Sequence, residues 1–184
     1  MRKILIVALI LATALLLMAA APWTSNQDRA HRIAELAREA GLGEDSAIIR
    51  EASVLWWAER EDCRILANVI AHEAPYCTDR HQQLVAQVVL NRVADERFPD
   101  TVRTVVTQPR QYHASYVEEL PEYATASAEM KRCFANAVAA LDGNVDCPAE
   151  VIFQSEFQSL GAGTYERIEV NTGAYRSVTY FNYG

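Results

Sequence analysis

The feature that most constrains the fold is a change of hydrophobic period late in the chain. Up to Leu141 apolar residues recur at spacings of three and four. Beyond Gly143 they give way to short runs rich in β-branched and aromatic residues. A helical body followed by a small antiparallel sheet satisfies both patterns, so the expected class is α+β and mainly helical. Helices are expected over Gln27–Ala40, with Gly41 at the C′ position, over Asp45–Arg60, and over about Asp62–Ala74, where Pro75 ends the run. A fourth begins at Thr78 or Asp79 and reaches about Ala94. A short one after Asp100 or Thr101 carries Val102, Val105 and Val106, and a longer one spans roughly Glu122–Leu141. Residues 108–121 read as a loop. Strands are expected at Val151–Phe157, Tyr165–Val170 and Val178–Tyr183.

The N-terminus reads as an address. Arg2 and Lys3 precede an apolar run from Ile4 to Ala21, broken by Thr13 alone, that ends in three alanines, the order of a secretory signal. The run also approaches the length of a short spanning helix, roughly 17 residues, so a retained anchor is the other reading. Residues 1–21 are therefore expected to be a signal peptide or membrane anchor, and the remainder to act outside the cytoplasm. Contact with a membrane is expected through that anchor alone. Without Arg2 and Lys3, the 17 basic residues fall to 15 against 24 acidic ones, a net charge of −9. Nucleic acid is a poor partner for such a surface, because phosphates need clustered Lys and Arg. Cys63, Cys77, Cys133 and Cys147 all follow the leader. An even count in an oxidising compartment favours two disulfides, with three pairings open.

The chemistry concentrates between Ile65 and Tyr112. Leu66, Val69, Ile70 and Glu73 fall at helical spacings, which puts Glu73 on or beside the face that carries the core aliphatics, in the last turn before Pro75. A carboxyl group set against an apolar wall is desolvated. Its pKa rises, and it can hold a proton and deliver it to a leaving oxygen. Nearby His72 does not complete a zinc motif: H-E-x-x-H would need a second His where Tyr76 stands, and no metal site is expected. Cys77 and His81, four apart, are weighed as a thiol nucleophile with its base and set aside on the even cysteine count.

From Glu73 the chain reads E-A-P-Y-C-T-D-R-H-Q-Q-L-V-A-Q-V-V-L-N-R-V. It continues with Phe98-Pro99-Asp100-Thr101, a short helix, and Gln108-Pro109-Arg110-Gln111-Tyr112. These elements, and the 18-residue step from Glu73 to Asn91, resemble the spore-cortex-lytic type of cell-wall hydrolase. The resemblance covers about residues 62–112, with a weaker likeness in V-I-F-Q and Y-F-N-Y-G near the C-terminus. It implies a lysozyme-like domain that cuts the MurNAc–GlcNAc bond of peptidoglycan glycan strands, with Glu73 as catalytic acid and no cofactor. The route it implies is lytic transglycosylation: Glu73 protonates the glycosidic oxygen, then takes the proton of the muramic C6 hydroxyl as a 1,6-anhydro ring closes. One departure stands out. Where the family commonly has E-A-R-G-E, this chain has Pro75, Tyr76 and Cys77, so the second Glu is a cysteine.

Gln111 and Tyr112 are expected to border the cleft and bind sugar, since amides and aromatic faces suit carbohydrate. Asn91 is weighed as a sugar contact or a loop anchor, and His72 as a polar cleft residue. Hydrolysis by a muramidase needs a second carboxylate. Asp79, Glu96 and Asp100 are near in sequence, but none is singled out, which favours transglycosylation. The expected organisation is a helical extension over 22–61 and a catalytic domain over 62–184. The rival reading is a non-catalytic peptidoglycan-binding or wall-assembly protein with a degenerate site, motivated by Cys77. The sequence does not speak to oligomeric state.

Overall fold

In the computed structural model the described residues are 26–39, 41–43, 46–158 and 160–184. The expected leader, residues 1–21, lies outside them. Among the described residues no helix is long and apolar enough to cross a membrane. The chain divides into two compact units between Glu59 and Arg60.

The first unit is a helical pair, α1 (Asn26–Glu39) and α2 (Ala47–Trp57). Small residues let the two pack closely: Ala30, Ala37 and Ala52 are buried, with Ile49 and Val54 beside them. Gly41 takes a left-handed φ of 74°. Its amide bonds the Arg38 carbonyl and the Leu42 amide bonds the Ala37 carbonyl, the double bond that closes a helix through a C′ glycine. Ser46 caps α2 by accepting from the Ile49 amide.

The second unit holds α3 (Glu61–Glu73), α4 (Asp79–Ala94), α5 (Val102–Val106), α6 (Ala128–Leu141) and strands β1 (Val151–Ser155), β2 (Gly163–Asn171) and β3 (Arg176–Tyr183). It is α+β and mainly helical, as the change of period predicts. Helix α3 packs on α4 and α6, and α4 packs in turn on α6 and β1. Ile65, Leu66, Ile70, Leu84, Phe134 and Phe181 are fully buried at the centre. The sheet is antiparallel in the order β1-β3-β2, so the last strand is the central one. Two register shifts, at Val151/Phe153 and at Thr164/Glu166, face β3 near Asn182.

The differences from the sequence reading are local and have local causes. The stretch expected as one helix from Glu122 splits into a 3₁₀ turn, Tyr123–Thr125, and α6. Ser127 stands between them in an extended conformation and accepts from the Met130 amide, a cap that restarts the helix. Strand β1 stops at Ser155, two residues early. The Ser155 hydroxyl turns back onto Phe157, donating to its carbonyl (2.5 Å) and accepting from its amide (3.2 Å). The loop over 108–121 contains a 3₁₀ turn, Ala114–Val117.

The two expected disulfides are not formed: all four thiols are free. Three are enclosed, and the charges around them show that they occupy different surroundings. Cys63 lies near Asp142, while Cys147 lies near Arg80, Glu166 and the Asn91 amide. Cys77 engages the Tyr175 side chain, and Cys133 faces the field of Arg132. Burial pushes Cys63 up to about 12 and Cys133 and Cys147 up to about 11, so these three are thiols rather than thiolates at neutral pH.

Candidate active site

The groove is built from three elements. Helix α3 ends at Glu73. On α4, His81 and Val85 are four residues apart and so share one face. On β3, Ser177 and Thr179 alternate with their neighbours and present one face of the sheet. Gln154 of β1 sits directly opposite Phe181, which lies on that same face. Glu73, His81, Val85, Gln154, Ser155, Glu156, Tyr175, Ser177 and Thr179 enclose an open space of about 460 Å³. The space is open to solvent on one side, and its walls are largely polar.

Glu73 is held from both sides. Behind it, Ala74 closes α3 through its amide, and its carbonyl accepts from the buried side chain of Gln82 (2.9 Å). Asn136 of α6 donates to Gln82 Oε1 (2.7 Å) and to Asp79 (3.0 Å), so the turn between α3 and α4 is tied to a third helix. In front, the Tyr116 hydroxyl donates to Glu73 Oε1 (3.1 Å). Asn68, one turn before His72, donates to the Tyr116 carbonyl (2.9 Å) and fixes that loop. The His72 ring stacks on Tyr116 at 4.4 Å between centroids. His72 Nδ1 lies 2.8 Å from the Asn68 carbonyl, which requires the proton on that nitrogen.

By accessible area Glu73 is an exposed residue, as a group opening onto a groove must be. Protein packed around its remaining sides still withdraws enough solvent to raise its pKa. Burial is the largest influence and opposes the Tyr116 hydrogen bond and the nearby His72, both of which favour the carboxylate. The Tyr116 bond offers a direct check. Tyr116→Phe removes a donor that favours the ionised form, so the Glu73 pKa should climb further. A carboxyl-selective infrared or NMR titration should show the midpoint of Glu73 moving upward, and a downward move would mean that Tyr116 acts on it in some other way.

His81 is fully enclosed and edge-on to Phe181, 5.5 Å between centroids. Burial presses its pKa down to about 4, so it is a neutral wall of the groove at ordinary pH.

Of the expected site residues, the catalytic candidate Glu73 lines the groove, and Gln111, Tyr112, Asn91 and His72, expected to bind sugar, are not in its lining. Gln111 accepts from Arg92 Nη1 (2.7 Å) through its side-chain oxygen. The Tyr112 ring lies 5.8 Å from the same guanidinium, and burial pushes its hydroxyl up to about 12, with the charge of Glu73 within reach. Asn91 is 5% exposed, and its amide donates to the Pro148 and Val151 carbonyls (2.8 and 2.9 Å) while its oxygen accepts from Gln87. It anchors the start of β1. His72 flanks the groove through Tyr116. Asp79 is engaged by Arg132 (2.7 Å), and neither Glu96 nor Asp100 lines the groove. Among the described residues no group of three or more His, Cys, Asp or Glu is placed to hold a metal ion.

The sequence reading missed Tyr116, Gln154, Ser155, Glu156 and Tyr175. The first sits in a loop whose polar and aromatic character was visible. The others reach the site only because the sheet folds back against α4. Cys77, the departure from the family pattern, touches the site indirectly: its thiol engages Tyr175, which lines the groove and packs edge-on against Tyr76 at 5.7 Å.

Residues 78–159 match the Cell Wall Hydrolase family model. This stretch is similar to cell wall hydrolases. It contains α4, the loop with Gln111 and Tyr112, and β1 with Glu156. It opens five residues after Glu73. No curated protein and no solved structure matches the chain.

Proposed function

We propose that the second unit cleaves the glycan strands of peptidoglycan outside the cytoplasm, with Glu73 as the proton donor to the MurNAc–GlcNAc glycosidic oxygen. The observation that carries the proposal is a carboxyl group whose pKa is raised by burial and which opens onto a polar groove of about 460 Å³. A raised pKa enlarges the protonated fraction of Glu73 at a given pH, and a protonated carboxyl is what a leaving alkoxide needs. The polar lining from Gln154, Ser155, Ser177 and Thr179 suits hydroxyl and acetamido groups, and the match over residues 78–159 supports wall glycan as the substrate.

The proton-donating step is common to two routes. In lytic transglycosylation, the route implied by the resemblance, Glu73 returns as base to the C6 hydroxyl and one carboxyl group suffices. In hydrolysis water attacks instead and a second carboxylate is needed.

Release of soluble fragments from purified cell wall tests the proposal. Wild type should release them, and Glu73→Gln should do so at least about 100-fold more slowly, the usual scale of a lost general acid. Glu73→Gln keeps the size and the Tyr116 contact, so a fold defect is not expected. Release by neither protein would turn the reading toward a wall-binding module.

A further inference from the structure

We propose that Glu156 is the second carboxylate of this site and activates the water that captures the cleaved sugar, so that the protein hydrolyses the glycosidic bond. The proposal rests on the reading of Glu73 as the acid. Glu156 lines the same groove as Glu73 but arrives from the opposite element, just beyond the end of β1. Its position is fixed by its neighbours. Ser155, itself in the groove wall, brackets Glu156 with two hydrogen bonds to Phe157, one donated and one accepted. That turn fixes the stretch of backbone that carries Glu156 at the edge of the groove.

The other carboxylates of this region are engaged elsewhere. Glu166 pairs with Arg80 (2.7 Å), and Asp79 pairs with Arg132 (2.7 Å) and accepts from Asn136. Among the described residues no ion pair is formed by Glu156. Glu73 and Glu156 differ in setting: one carboxyl is packed against protein, and the other is exposed at the rim, where a water molecule can reach it.

The atoms balance with one water consumed. Glu73 gives its proton to the glycosidic oxygen as the bond from that oxygen to the anomeric carbon breaks. The water oxygen bonds to the anomeric carbon, and its proton passes to the Glu156 carboxylate. The products are a free alcohol on one sugar and a reducing end on the other. Glu73 is left ionised and Glu156 protonated, and exchange with solvent restores both.

The test is digestion of purified peptidoglycan by the full chain, with the new glycan ends resolved by mass spectrometry. Wild type should give reducing ends that take up oxygen from isotopically labelled water. Glu156→Gln should lower their release by about 100-fold or more, and Glu156→Asp, which keeps the charge, should recover part of it. Thermal unfolding of each variant should match wild type, since the residue is exposed. Wild-type products that are 1,6-anhydro ends alone, or undiminished reducing ends from Glu156→Gln, would overturn the assignment and leave Glu73 standing. Absence of any release by wild type would remove the Glu73 reading, and this proposal with it.

Discussion

Glycan release by the wild-type protein should fall about tenfold for each pH unit above the pKa of Glu73, because only the protonated acid can cleave. Burial raises that pKa from the ordinary value of 4.5, so the descending limb should begin above the usual carboxylate range. Tyr116→Phe should carry the limb higher still. The same shift fixes the sign of a stability effect. The folded pKa lies above the unfolded one, so between the two values the native state binds more protons. Stability therefore declines as pH rises through that window and stays reduced beyond it. Glu73→Gln, which cannot ionise, should be relieved of this cost and melt higher than wild type at neutral pH, with the difference shrinking below the ordinary carboxylate range. A rate that stays flat from about pH 4 to pH 8 would show that no group titrating there donates the proton.

The second large effect is expected at Arg92. It is 3% exposed, and its guanidinium donates to the Ile152 carbonyl (2.6 Å) and to Gln111 (2.7 Å). The rings of Phe98, Tyr112 and Phe153 lie 5.5 to 5.9 Å from it. Desolvation lowers its pKa, yet an arginine starts so high that it stays charged. One side chain thus ties α4, the loop before the 3₁₀ turn and β1 together. Arg92→Ala should cost about 3–5 kcal/mol, since it leaves a cavity among aromatics and deprives buried acceptors of their donor. Arg92→Lys should cost about 2–3 kcal/mol, because a single ammonium cannot reproduce the planar fork. Urea unfolding reads both as a lower midpoint at constant slope. A loss below about 1 kcal/mol for the alanine variant would mean that the three elements are held by other contacts.

Asn91 and Arg92 show how a motif can be legible in the sequence while its role stays open between ligand and scaffold. L-N-R-V sits at the end of α4, where a polar pair might face ligand or scaffold with equal ease. The structure shows both side chains directed at main-chain carbonyls of β1, Pro148 and Val151 for Asn91 and Ile152 for Arg92. Those carbonyls lie about sixty residues further along the chain, and no local pattern points to them. Gln111 and Tyr112 follow the same logic: Gln111 accepts from Arg92, and the Tyr112 ring lies beside the same guanidinium. The cysteines make a complementary point. An even count predicts pairing, but pairing needs two sulfurs brought face to face. The helices that carry Cys63 and Cys133, and the segments that carry Cys77 and Cys147, place them in different surroundings.

What the sequence determined by itself was everything governed by short range: the helical period and its end at Gly143, helix starts at Thr78 or Asp79 and at Asp100 or Thr101, the Gly41 terminus, and Glu73 on the edge of an apolar stripe. Each depends on residues within a turn or two of one another, where propensity and hydrogen-bond geometry act directly. Only the tertiary structure decided what faces Glu73. Gln154, Glu156 and Tyr175 reach the site because β3 inserts between β1 and β2 and the sheet closes on α4, while Tyr116 comes from a loop that Asn68 of α3 fixes. That arrangement is set by burying Phe181, Ile152 and the aliphatic face of α4 together, a cooperative packing choice spread over the whole unit.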